Sequence, residues 1–539
     1  MDGALVACLL CVALAMHVVP LLFSPLPLNP DGFPLARVAQ QITATGTSRL
    51  TPTDVNNYTE QMPVYSLLWS MLAQVGGLGV LADLQAMMPL LTATVVLPAY
   101  LLGVKATRSR VVGFASGLFV AMFGSFLFLT SAAMKESLGL LLLPTVVLLF
   151  QERADPRKRA LAAALLLLLP FLHHLTTLMA FGMVCALIVL QHSRSVTRGT
   201  FSARRLALDI VTGPALGVVP WVYYSQVGMP YFRALVTVGA VALFVSLAVL
   251  LAALLVPRRR PSRPRPGKRL VVPASRVLLV PAIALAALWV NGQTSLFVGV
   301  AGTQAALVTV LPAVAVLVAF AFLGFQLVLR TTNRASDLVL SMLTAPVCLV
   351  LFGFLRGLDP LGQVIVYRAF DFLDYALALL VGVGFAIAWG RLRISRAAQL
   401  ALGAGLFAVL LATTPMAWNS QAVFGVNEVT TPAEFQTLAV LASLHPRNVA
   451  TDQRLAYIAQ SWFEYPASPA LPWLLENHEA VSGYDYAVVL ASWMTIGAQV
   501  YPAPNIVLSP AVISAFLQAN RVVYTAGSGA DQVYVVQLT

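Results

Sequence analysis

Asp31, in Asn29-Pro30-Asp31-Gly32-Phe33-Pro34, has the type and setting of a working carboxylate. Such a group can take a proton from a hydroxyl or ligate a divalent cation. It is equally a good helix N-cap. Glu136 closes the run Ser131-Ala132-Ala133-Met134-Lys135-Glu136 and offers the same chemistry, or simply a favourable charge at a helix start. Lys135 beside it can meet a phosphate or snorkel to a membrane interface. Arg368, in Tyr367-Arg368-Ala369-Phe370, can hold a phosphate with its planar fork. It can also pair with Asp371 or Asp374, or anchor a helix end. Arg356 is the second guanidinium with that possibility. His173 and His174 lie in Phe171–Thr177, either as a polar turn or as phosphate or metal ligands. Adjacent histidines on a helix project apart, so both rarely bind one ion. Asp31, Glu136 and His174 form the candidate ligand set for a divalent cation such as Mg or Mn. Tyr58 and Glu60 are candidates to line the same cavity.

The rest of the chain must position these groups, and its composition says how. Of 539 residues, 59% are hydrophobic and 10% charged, with a mean hydropathy of +0.84. A soluble domain carries about 25% charged residues. That excludes an ordinary soluble enzyme and a disordered chain. A polytopic α-helical membrane protein remains. Cys8, Cys11, Cys185 and Cys348 fall in apolar runs and suggest neither a zinc site nor a disulfide framework. The run Leu5–Phe23, followed by Pro25, Pro27 and Pro30, reads as a retained anchor.

Apolar runs of bilayer length define about thirteen spans: 4–24, 88–104, 111–130, 137–150, 160–172, 177–191, 206–222, 234–256, 273–290, 305–329, 337–354, 369–389 and 398–414. Lys and Arg crowd every second loop, most densely at Pro257–Arg269, whereas the alternate loops hold only Arg37, Arg49, Lys135, Arg233, Arg356 and Arg368. The inside bias of basic residues then places the N-terminus inside and the C-terminus outside the cell (cytoplasmic) membrane. It also accounts for the net charge of +12 as topology and gives no support for nucleic-acid binding. The basic Pro257–Arg269 linker suits anionic headgroups. The six outward cations are the exceptions, and ionisable groups near a membrane boundary are functional candidates.

Residues 1–414 are read as the transmembrane domain and 415–539 as a small α/β extracytoplasmic domain in which acids outnumber bases. There, helices are expected at Pro432–Leu444, from Asp452 and at Pro510–Ala519. Strands are expected at Asn448–Thr451, Asn505–Leu508, Arg521–Thr525 and Val533–Leu538. The first outer loop, 25–87, should carry two amphipathic helices lying on the membrane surface. One is closed by Gly46. The other runs from Met62 to Gln74, with Tyr58, Tyr65 and Trp69 at the interface. Asn57-Tyr58-Thr59 is a glycosylation sequon.

These features together resemble the integral-membrane glycosyltransferases of the GT-C superfamily, which includes protein mannosyltransferases, the aminoarabinose transferase of lipid A and the catalytic subunit of oligosaccharyltransferase. The resemblance rests on Asp31 after the first span, Met62-Pro63-Val64-Tyr65-Ser66-Leu67-Leu68, Glu136 in the second outer loop, Tyr367-Arg368 opening a late span, and the outer C-terminal domain. Val449-Ala450-Thr451-Asp452 and Val522-Val523-Tyr524 look like the tails of archaeal members. Asp-x-Asp is missing from the first loop and WWDYG is replaced by Ser461-Trp462-Phe463-Glu464-Tyr465, so peptide recognition is not carried over.

The resemblance implies a polyprenyl-phosphate sugar as donor and a glycan, lipid or protein acceptor. Asp31 would be the base, with Glu136 as acceptor-orienting or metal-binding carboxylate, and Arg368, Arg356, Lys135 or a histidine would meet the phosphate. Walker A, GxGxxG, HExxH and GxSxG motifs are absent from the sequence. The rival readings are a lipid or polysaccharide transporter or flippase, and a non-catalytic assembly protein. The scarcity of mid-span charges and of an inverted repeat disfavours a transporter.

Overall fold

The computed structural model describes residues 2–48, 58–77, 79–227, 286, 289, 304–330, 334–355, 360–391, 395–418, 423, 428–500 and 505–538. The spans expected at 234–256 and 273–290 (apart from Ala286 and Trp289), the basic linker 257–269, Arg356 and Asn57 of the sequon lie outside the described residues.

The protein is a mostly helical integral membrane protein. Among the described residues, eight helices are long and apolar enough to cross a membrane: Gly3–Leu22, Val80–Thr107, His174–Val196, Ala203–Gln226, Val308–Val328, Ser336–Leu355, Val364–Gly390 and Arg396–Trp418. Lipid offers no hydrogen-bond partner, so the backbone of such runs must satisfy itself as helix. The span expected at 111–130 is broken instead. Arg110–Met122 and Gly124–Ser131 meet at an angle of 64°, and the Gly124 N–H freed by the break donates to Thr413 Oγ1 at 3.0 Å. The runs 137–150 and 160–172 form Lys135–Gln151 and Pro156–Leu168, both shorter than the eight. Helix Pro360–Arg391 is central, packing against Gln304–Arg330, Arg334–Leu355 and Arg110–Met122. A Cβ at Gly324 or Gly384 would strike the backbone of Leu380 or Phe320, so glycine sets this close approach.

The first loop departs from the surface-helix expectation. Gly32–Thr45 and Val64–Gly76 form and end at Gly46 and Gly77, both at positive φ (74° and 67°), where glycine carries no Cβ penalty. Their aromatic faces, however, point inward. Tyr65 and Trp69 are 0% exposed and stack at 5.0 Å, and the Tyr65 hydroxyl donates to Met88 Sδ at 3.2 Å. The exposed stripe of Val64–Gly76 is Leu67, Met71 and Val75. Packing between the two helices and Val80–Thr92 wins over interfacial placement of the rings.

Beyond residue 428, a five-stranded sheet has the order β2-β1-β3-β5-β4. The strands are β1 (Val449–Ala450), β2 (Ala467–Ser468), β3 (Tyr486–Leu490), β4 (Arg521–Ala526) and β5 (Val533–Gln537). β1 pairs in parallel with β2 and β3, whereas β5 runs antiparallel to β3 and β4, with Val488 opposite Val535. Helices Pro432–Ser443, Gln453–Ser461 and Pro510–Ala519 form where the sequence places them. The expected strand 505–508 reduces to one bridge, Ile506 with Ala498. Thr431 and Glu434 make a capping box, which fixes the start of the first of these helices. The core of this unit (Leu438, Ile458, Val488, Trp493, Val535) also takes in Leu26 and Phe33 from the first loop.

Candidate functional site

Seven chain segments contribute to one site. The turn at Asn29–Asp31 enters helix Gly32–Thr45. The Asn29 Oδ1 accepts from the Asp31 N–H at 2.8 Å, and its Nδ2 donates to Glu428 Oε2 at 2.9 Å. Asp31 occupies the capping position, but its side chain makes no cap hydrogen bond. The cap-only reading therefore fails here. The Asp31 charge acts on the buried Tyr457 phenol, and with burial it raises that phenol well above its usual value.

Lys135 and Glu136 open helix Lys135–Gln151. The preceding turn is locked by the Ser137 hydroxyl, which lies 2.7 Å from the carbonyls of both Leu129 and Ala132. Glu136 in the first turn suits the positive end of the helix dipole. It forms an ion pair with Arg368, the residue that reaches over from helix Pro360–Arg391. Asp371 and Asp374, the alternative partners, each keep a buried carboxylate oxygen without a hydrogen bond among the described residues. Arg368 also lies over the Tyr367 ring, 5.8 Å from its centroid.

His173 caps the helix His174–Thr197. Its Nδ1 accepts from the Thr176 N–H at 3.3 Å, so the ring proton belongs on Nε2, which faces Glu136 Oε1 at 3.5 Å. Burial, with His174, Arg368 and Lys135 nearby, holds the His173 imidazole neutral by pushing its pKa well down. His174 turns the other way, and its Nδ1 lies 2.8 Å from the Tyr58 hydroxyl. Burial and the charges of Glu136 and Asp31 raise the Tyr58 phenol well above its usual value, so it keeps its proton and donates.

Lys135 is the informative cation. It is 8% exposed. Its ammonium touches only neutral groups: the Thr59 hydroxyl at 3.3 Å, the Tyr58 carbonyl at 3.4 Å and the Tyr58 ring at 3.9 Å from the centroid. Among the described residues it makes no ion pair. Burial pushes its pKa down to about 7, against the raising pull of the Asp31 charge, so the amine holds its proton loosely until an anion enters. A buried charge without a counter-charge in contact is costly, and an anion entering the site would relieve that cost.

The structure thus brings together Asp31, Tyr58, Lys135, Glu136, His173, His174 and Arg368, with Glu60 on the same turn as Tyr58. It does not assemble the metal set. Among the described residues no three His, Cys, Asp or Glu side chains are placed to hold an ion. Glu136 is committed to Arg368 and His173, and His174 to Tyr58.

Sequence reasoning missed Asn29, Glu428 and Tyr457. Glu428 is pushed up to about 7 by burial and by the Asp31 charge, against the lowering influence of Arg368 and Arg454. Tyr457 is on a helix expected from the Asp452 cap, but nothing local says that it faces the first loop.

A scan against protein-family models finds no match, and neither does a search of curated proteins. Several solved structures of membrane glycosyltransferases are similar to the chain. One is an oligosaccharyltransferase from Archaeoglobus fulgidus in complex with zinc and sulfate, with TM-score 0.49 and 12% identity over 90% of this chain and 68% of that one. Arabinofuranosyltransferase AftD from Mycobacteria gives 0.45 and 14% over 99% of this chain and 40% of that one. ArnT from Cupriavidus metallidurans bound to undecaprenyl phosphate gives 0.40 and 14% over 99% and 98%.

Proposed function

We propose that the protein is a glycosyltransferase that takes a sugar from a polyprenyl-phosphate donor and passes it to an acceptor on the outer face of the cell membrane. The observation that carries this reading is Lys135. It is a buried amine with no carboxylate in contact among the described residues, one residue before the Glu136 that pairs with Arg368, and the Asp31 charge acts on it. A cation pair facing a carboxylate is what transfer from a lipid phosphate requires. Asp31 takes the proton of the acceptor hydroxyl as its oxygen bonds to the anomeric carbon. The bond from that carbon to the phosphate oxygen breaks, and the electron pair leaves with the polyprenyl phosphate. Lys135 and Arg368 meet the charge that grows on it, while Glu136 and the neutral His173 keep the guanidinium aimed. The acceptor belongs to the glycan, lipid or protein class. The basic-residue alternation in the sequence supports the outward orientation, and the sequence resemblance to the GT-C superfamily supports the donor class.

The test is transfer from radiolabelled polyprenyl-phosphate sugars in proteoliposomes, comparing wild type with Asp31→Asn. Loss of a general base lowers the rate by about 10²–10⁴-fold. A mutant that turns over at the wild-type rate removes Asp31 from the reaction.

A further inference from the structure

One carboxamide joins the turn that carries Asp31 to the sheet-bearing unit. Asn29 Oδ1 accepts from the Asp31 N–H at 2.8 Å, and Asn29 Nδ2 donates to Glu428 Oε2 at 2.9 Å. The acceptor end of the amide thus faces an N–H, and its donor end faces a carboxyl oxygen. Glu428 selects this orientation. Without it the planar amide is free to turn over or swing away, and the Asp31 N–H loses its partner. Asp31 depends on that support, because its own side chain makes no cap hydrogen bond. The remaining bonds of the turn are backbone to backbone, from Gly32 to Asn29 at 3.0 Å and from Phe33 to Pro30 at 3.1 Å.

We propose that Glu428 is a positioning residue of the active centre: through the Asn29 amide it fixes the turn that presents Asp31 to the acceptor hydroxyl, so that the sheet-bearing unit completes the site. This rests on the reading of Asp31 as the base. What Glu428 supplies is an acceptor oxygen, which a carboxylate, a carboxylic acid and a carboxamide all carry. Position matters because displacing a reacting group by about 1 Å costs on the order of 10²-fold in rate.

Glu428 is itself held in place, because each of the next three residues is tied down. The Val429 carbonyl accepts from Arg454 Nη1 at 2.6 Å. Arg454 is buried and grips Glu434 with both ends of its fork, Nη1 to Oε2 at 2.9 Å and Nη2 to Oε1. The Thr430 carbonyl accepts from the Ser24 hydroxyl at 2.9 Å, which reaches over from the first loop. The Thr431 N–H donates to Glu434 Oε2 at 2.8 Å. Past Asp31, Phe33 stacks on Phe435 at 5.7 Å, and Arg37 forms a two-pronged ion pair with Glu464, at 3.1 Å from Nε and 2.9 Å from Nη2. The first loop and the sheet-bearing unit therefore meet on both sides of Asp31. Asn29–Glu428 is the contact that continues into the Asp31 backbone.

Full-chain variants test the proposal: Glu428→Ala, Glu428→Gln, Asn29→Ala, the double variant Asn29→Ala/Glu428→Ala, Asp31→Asn and Arg37→Ala. The quantities read are kcat and KM on a panel of radiolabelled polyprenyl-phosphate sugars in proteoliposomes, and the melting temperature in detergent. Assays run at about pH 6, where Glu428, pushed up to about 7 by burial and the Asp31 charge, is largely the uncharged acid that glutamine mimics. Glu428→Ala removes the acceptor oxygen. It should lower kcat by about tenfold or more, with KM for the donor within about twofold. Glu428→Gln keeps an oxygen for the Asn29 amide and should stay within about twofold of wild type. Asn29→Ala should lose at least as much as Glu428→Ala, and the double variant should be no slower than Asn29→Ala, because Glu428 acts through the amide. Arg37→Ala loosens the same interface without touching Asn29. It should lower the melting temperature and leave kcat within about twofold.

If Glu428→Ala turns over like wild type while Asp31→Asn is inactive, the positioning role is overturned and the base assignment stands. If Glu428→Gln loses as much as Glu428→Ala, or the double variant multiplies the two single losses, Glu428 does not act as an acceptor through Asn29, and the role is overturned. If Arg37→Ala reproduces the kcat loss of Glu428→Ala, the effect belongs to the interface as a whole, with the same consequence. If Asp31→Asn is fully active, or no donor on the panel yields product with wild type, the functional reading falls and the positioning role with it.

Discussion

Helix Lys135–Gln151 has a buried charged cluster at each end, about 25 Å apart at 1.5 Å per residue. At its C-terminal end, Asp209 is saturated. It receives Arg153 at 2.7 Å, His192 at 2.8 Å and Arg159 at 3.3 Å, while Arg153 also reaches Gln191 at 2.7 Å and the Phe150 carbonyl at 3.1 Å. At its N-terminal end, Lys135 meets oxygens without charge and an aromatic face. Both clusters are buried, and ionisable burial alone would mark both as functional. The difference is closure. The Asp209 cluster ties together the helices ending near residue 151 and those starting near 203, and both of its guanidiniums are in direct contact with a carboxylate. In the Lys135 cluster the cation has no counter-charge in contact among the described residues.

Opposite responses to neutralisation would sharpen that contrast. Asp209→Asn leaves two guanidiniums buried around an amide, and removing one member of a buried pair costs about 3–5 kcal/mol. The fraction of protein remaining monodisperse in detergent should therefore collapse at a much lower temperature, while the turnover of the folded fraction is retained. Lys135→Met keeps the volume and removes an uncompensated charge. It should raise the thermal midpoint, yet weaken donor binding by about 10–100-fold, read as KM for the polyprenyl-phosphate sugar. If Lys135→Met instead destabilises the protein as Asp209→Asn does, the two clusters are alike and the ammonium is structural.

The sequence made the cations legible because the inside bias of Lys and Arg leaves few on the other side, so Lys135 and Arg368 stood out by position. Asp31 was legible from its Pro-Asp-Gly-Phe-Pro setting. Its partners were not. Glu428 and Tyr457 arrive from a distant part of the chain, and no local periodicity encodes which face of Gln453–Ser461 meets the first loop. The same limit explains Tyr65 and Trp69, whose aromatic stripe fits a membrane interface and a buried seam equally well until the neighbouring helices are placed. Strand β3 adds to the expected elements, and its signal is local: Tyr486-Ala487-Val488-Val489-Leu490 is a short apolar, partly β-branched run after Gly483, the pattern of a buried strand. The break at Phe123 had a weak signal in Phe123-Gly124-Ser125, but its stabilising partner, Thr413, is remote.

The smallest effect concerns the carboxyl that the sheet-bearing unit brings beside Asp31. Glu428, pushed up to about 7 in the fold, lies well above the ordinary glutamate value of about 4.3. A folded-state pKa that is raised means the folded protein binds the proton more tightly than the unfolded chain. The stabilisation is fully present below the ordinary value and is lost as pH rises through about 7. Wild type should therefore melt at falling temperature between pH 5 and pH 8. Glu428→Gln, which mimics the protonated acid and keeps an oxygen for the Asn29 amide, should match wild type at the acid end. At pH 8 it should melt higher by about 2–4 °C. A parallel pair of curves would mean that Glu428 carries its charge across the whole range. The region around Asp31 would then hold one more fixed negative charge, and the relief that an incoming phosphate gives Lys135 would have to be won against it.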